Sequence, residues 1–84
     1  MARYHLHLHN SIGFVRDEEG AEFQDLEEAR SSAVDSVRSI LCEEVEQGVI
    51  DLRGWIDIAD PGGDLLASIR FAEAVELRLD GEES

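Results

Sequence analysis

From Tyr4 to His9 apolar and imidazole side chains alternate without a break, the period of an extended strand whose neighbours point to opposite faces. The pattern predicts a strand over Arg3–Asn10 with Tyr4, Leu6 and Leu8 on one face and His5, His7 and His9 on the other. Asn10-Ser11-Ile12-Gly13 is turn chemistry, because Asn tolerates and Gly freely adopts left-handed backbone, so Phe14-Val15-Arg16 returns as a short second strand. Asp17-Glu18-Glu19-Gly20 then reads as a solvated turn, after which Ala21-Glu22-Phe23 resumes pairing. Here the period changes. Leu26, Ala29, Ala33, Val37, Ile40, Leu41 and Val45 recur every three or four residues and form one apolar stripe, predicting a helix of about 23 residues and ~34 Å. Asp25 with Glu28 supplies a start signal, and Gly48 followed by Val49 a Schellman-type stop.

Alternation returns at Trp55-Ile56-Asp57-Ile58-Ala59, with Ile56 and Ile58 facing the core and Trp55 and Asp57 facing away. Asp60-Pro61-Gly62-Gly63-Asp64 is a hairpin loop, and Leu65–Phe71 a returning strand with Leu65, Ala67, Ile69 and Phe71 on one face and Leu66, Ser68 and Arg70 on the reverse. A short helical turn from Ala72 and an extended Val75–Leu79 follow. The expected fold is α+β, in the order β-β-α-β-β: an antiparallel sheet of about four strands with one long helix packed on one face. Residues 1–79 make one domain and 80–84 a disordered acidic tail.

At 84 residues the domain is small. A chain of this size buries only about 60–65% of its unfolded surface, so a homodimer is expected to supply part of the stability. Twenty acidic against seven basic residues give a net charge of −13, which disfavours nucleic acid and anionic membrane surfaces as partners. Every basic residue is Arg, suited to planar carboxylate pairing, and the seven are scattered. The single cysteine, Cys42, excludes an internal disulfide and is expected to be a buried, unreactive thiol. With no leader-like apolar run and no stretch of membrane-spanning length, the cytoplasm is the expected compartment.

Arg3-Tyr4, His7-Leu8-His9-Asn10, Asp17 to Glu22, Asp25 to Arg30, Glu43 to Gly48, the Asp60–Asp64 turn and Phe71 to Glu76 recur together in one group of proteins. On that combination the chain resembles a family of short, uncharacterised proteins common in alphaproteobacteria, catalogued as a domain of unknown function. The resemblance implies a stand-alone bacterial module and carries no catalytic residues with it.

Two surfaces are worth testing. On a strand H-x-H places two imidazoles about 6.6–7 Å apart, a spacing that zinc sites use, so His5, His7 and His9 with Asp57 form a candidate transition-metal set. The second is an association surface. One helix covers one side of the sheet, leaving His5, His7, Trp55, Asp57 and Leu66 on a face that either meets its copy in a homodimer, receives another protein, or is closed by Val75–Leu79. Nucleophile elbow, phosphate loop and HExxH helix are all missing, so the expectation is a non-catalytic interaction or regulatory module without cofactor.

Overall fold

The computed structural model describes residues 1–78, in which β1 (Ala2–His9) is the strand that the rest of the sheet is built around. Its partners are β2 (Phe14–Val15), β3 (Ala21–Phe23) and β4 (Trp55–Ala59), and β4 in turn pairs with β5 (Leu65–Arg70), all antiparallel. The order across the sheet is β2-β1-β4-β5, with β3 beside β2 along the same edge of β1. β3 pairs Ala2–Tyr4 and β2 pairs Leu8–His9, so the stretch of β1 between them faces the Asp17–Gly20 loop. This is the expected antiparallel α+β architecture. The expected tail at 80–84, and Leu79 before it, lie outside the described residues.

The connecting turns show how local chemistry sets register. Asn10 and Gly13 exchange backbone hydrogen bonds (2.9 and 3.2 Å), and the Asn10 side-chain oxygen accepts from Ile12 and Gly13 amides at 2.9 and 3.0 Å. Asn10 therefore works through its side chain and not through left-handed backbone. At the other hairpin the left-handed position is Gly63 (φ +94°), with Asp60 Oδ1 accepting from Asp64 N–H at 2.9 Å.

The helix α1 (Leu26–Glu46) starts and stops where the sequence placed it. Asp25 caps it by accepting from Glu28 N–H at 2.9 Å, while the Glu28 carboxylate reaches back past the cap to the Gln24 amide. At the end, Val49 N–H reaches Glu44 O (3.0 Å) and Gly48 N–H reaches Val45 O (2.9 Å) around a left-handed Gly48, the full Schellman arrangement. Ala29, Ala33, Val37 and Leu41, four apart, are buried against Ile56, Ile58 and Ile69. The small residues at 29 and 33 let the helix sit close to the sheet.

Four expectations are corrected. Cys42 is exposed, because a row at 29, 33, 37 and 41 leaves the next residue turned about 100° away on the helix flank. Val45 is the next position of that row but is exposed, because burial along the row ends at Leu41; it borders an apolar groove with Ile50, Leu52 and Val75. Leu65 is 63% exposed, since the β4–β5 register shifts at Ile58/Ala59, pairing Ala59 with Leu65 and leaving Leu66 unpaired. Phe71 begins a second short helix, α2 (Phe71–Ala74), instead of ending β5; its ring is buried and its N–H donates to Gly54 O at 2.9 Å. Gly54 cannot carry a side chain there, because a Cβ would lie 2.6 Å from His9 O and 2.9 Å from the Phe71 ring.

Candidate functional site

Directly opposed residues on antiparallel strands share a face, so the register assembles the uncovered side of the sheet. β1 contributes His5, His7 and His9; Phe14 stands opposite His9 on β2, Trp55 and Asp57 opposite His9 and His7 on β4, and Arg70 and Ser68 opposite those on β5. Val75 and Leu77 lie with Arg38, Leu41 and Cys42 at the helix, so the segment as far as Arg78 does not close this face. Phe14 is 54% exposed, Leu66 42% and Trp55 39%. Leu66, placed on the reverse of β5 by alternation alone, sits at the register shift and is exposed beside it.

The histidines divide into two clusters. His9 lies parallel to the Trp55 indole (centroids 4.4 Å apart, planes 10° apart) and against Phe14 at 4.6 Å, while its Nε2 meets Asp57 Oδ2 at 3.0 Å. The other oxygen of Asp57 accepts from Ser68 Oγ at 2.6 Å. This fixes an aromatic stack on a hydrogen-bonded Ser–Asp–His chain that crosses three strands.

His5 and His7 turn to the opposite edge of β1, where Asp17 occupies the gap between β2 and β3. Its carboxylate accepts from Leu6 N–H (3.0 Å) and from Gly20 N–H (3.1 Å), its own N–H donates to His7 Nδ1 (3.0 Å), and its carbonyl lies 2.8 Å from His5 Nδ1. A carbonyl can only accept, so His5 carries hydrogen on Nδ1; an amide can only donate, so His7 offers a lone pair there and a neutral His7 ring carries its hydrogen on Nε2. The two stacked rings, 6.0 Å apart, therefore hold opposite tautomers when neutral. Gly20 closes this loop with φ +69°, and a Cβ at that position would lie 2.8 Å from Tyr4 O.

The candidate metal set is thus not gathered. His9 and Asp57 are together, but His5 and His7 are committed to Asp17, and among the described residues no group of three His, Cys, Asp or Glu side chains is placed to hold a metal ion. Ser68 gives its hydroxyl hydrogen to Asp57 and not to His9, so the carboxylate stands between hydroxyl and imidazole, the reverse of the order in which a histidine draws a proton from serine. What the arrangement offers chemically is a rigid surface of aromatic, imidazole and guanidinium groups.

Three contributors were not singled out from the sequence: Asp17, Phe14 and Ser68. Phe14 was recoverable, since a two-residue loop closed by Asn10 and Gly13 pairs His9 with Phe14. Asp17 had the D-x-x-G spacing of a side-chain-bonded turn, but nothing local says that its carboxylate faces β1.

The chain matches a family model described as Domain of unknown function (DUF6894) over residues 3–72. No curated protein and no solved structure matches it. No helix among the described residues is long and apolar enough to cross a membrane.

Proposed function

The chain belongs to the DUF6894 family of unknown function, and within that family we propose that it is a non-catalytic protein-interaction module, acting as a homodimer in the cytoplasm and presenting its uncovered sheet face to a protein partner. One observation carries this reading: α1 covers one side of the sheet, while the other holds Trp55 and Phe14 exposed against His9, with Leu66 exposed at the far end of β5. Exposed aromatics held rigid by stacking lose little freedom on binding, which makes Trp55 the natural anchor. Its surroundings suit the role. In a chain of net charge −13 this face bears Arg70, its Arg3 is paired to Glu22 and its Asp57 to His9, which lowers its repulsion toward an ordinary acidic protein surface.

A photo-crosslinking phenylalanine analogue placed at Trp55 in the native host tests it, with the same analogue at exposed Glu43 of α1 as the control. A discrete adduct from position 55, absent from 43 and lost on Leu66→Glu, is expected. No adduct at 55 above the control would overturn the reading.

A further inference from the structure

Strand β5 ends the sheet opposite β2, and no described strand covers its outer edge. Phe71 N–H bonds to Gly54 O, one step beyond the Trp55–Arg70 pair, so antiparallel alternation turns the amides of Arg70 and Ser68 away from β4. Arg70 N–H is in fact taken by Glu73 Oε1 at 2.8 Å, which leaves Ser68 as the outward backbone position within the strand. An edge strand with an outward N–H still free is a template for another strand.

Above that edge runs one flank of α1. Glu27, Arg30, Ser31, Val34, Asp35 and Arg38 line a groove floored by Ile69, so the row lies alongside β5, and Arg38 Nε donates to Ala74 O of α2 at 2.8 Å. The charges read minus, plus, minus, plus. Against an identical helix running the opposite way, with the two-fold between Ser32 and Ala33, Glu27 meets Arg38 and Arg30 meets Asp35, each pair being equidistant from that centre. Neither Arg30 nor Asp35 has an ion-pair partner among the described residues.

We infer that a second copy of this chain docks antiparallel along β5, joining the two sheets into one, with Arg30 and Asp35 pairing reciprocally between the helices. Two-fold-related antiparallel strands have their axis perpendicular to the sheet, so both helices fall on one side and both uncovered faces on the other. With α1 packed over β1, β4 and β5 and so centred near β4, and strands about 4.8 Å apart, the helix axes stand roughly 15 Å apart, a gap that Arg and Asp side chains reaching toward each other span and backbones do not. The dimer is then a continuous platform carrying two Trp55 anchors. This inference rests on the homodimer half of the proposed function and not on the role of the open face.

Sedimentation equilibrium of the full chain decides it, with circular dichroism confirming that each variant is folded. The wild type is expected at twice its 9.4 kDa mass. Arg30→Glu, which sets like charges opposite each other twice per dimer, should weaken association by on the order of tenfold or more, and Arg30→Glu with Asp35→Arg should return it to within about threefold of wild type. Ser68→Pro removes the outward N–H and should also weaken it, while Trp55→Glu should leave it unchanged. A wild-type monomer at several hundred micromolar overturns both this inference and the homodimer reading. A dimer indifferent to Arg30→Glu, or broken by Trp55→Glu instead, overturns this inference alone.

Discussion

Replacing Asp17 by Ala tests whether the edge of β1 is held by a side chain where strand pairing is interrupted. The substitution removes two bonds from a carboxylate to backbone amides, at 3.0 Å to Leu6 and 3.1 Å to Gly20, and leaves a half-buried Leu6 N–H without its acceptor. Hydrogen bonds to charged groups contribute about 1.5–3 kcal/mol each; with the loop half-exposed, a total loss of about 2–3 kcal/mol is expected. For a domain of this size that is a fall in Tm of roughly 10–20 °C. Asp17→Asn keeps one carbonyl oxygen and therefore one of the two bonds, so it should lose about half as much. Urea unfolding gives the energies, and amide hydrogen exchange locates them: Leu6 should lose protection in Asp17→Ala while Ile58 loses only what the global destabilisation accounts for. Asp17→Ala within about 0.5 kcal/mol of wild type, or an unchanged Leu6 exchange rate, would refute the argument.

Two further outcomes follow from close approach and from charge pairing. Gly54→Ala forces a methyl against His9 O and the Phe71 ring, at 2.6 and 2.9 Å, and should cost about 2–3 kcal/mol in urea unfolding; a neutral effect would show that the β4–α2 junction is looser than described. The Arg53 guanidinium, with further hydrogen bonds from the Ser11 hydroxyl and the Arg53 amide, holds the Asp51 carboxyl well below the usual carboxylate range. Because the folded value is the lower one, any stabilisation from this pair is present above the ordinary Asp range and lost as pH falls through the folded value. The Asp51 carboxyl carbon followed by NMR should titrate below ordinary aspartates, and Arg53→Gln should move it upward; an unmoved midpoint would dismiss the pair as the cause.

What the sequence determined by itself is what neighbours along the chain decide. The Asp25 cap, the i+4 row from Ala29 to Leu41, the Schellman ending at Gly48 and the Asp60–Asp64 hairpin each depend on residues within one or two turns of each other, so residue type and spacing sufficed. The two faces of β1 were legible for the same reason, since strand alternation is a local property. Cys42 departs from its expected burial because the stripe is narrower than its apolar membership suggests, Val45 because burial along the i+4 row ends at Leu41, and Leu65 because a bulge, set by pairing with β4, resets alternation.

Only the tertiary structure decided which groups meet. His9 joining Asp57, Asp17 joining His5 and His7, and Gly54 yielding to Phe71 are contacts across strands, where a register shift of one residue would change every partner. The Glu27–Arg38 row shows the division most plainly. Its alternating charges stand in the sequence as an ordinary solvated helix face, and they become a self-complementary surface only once the fold lays the free edge of β5 beneath them.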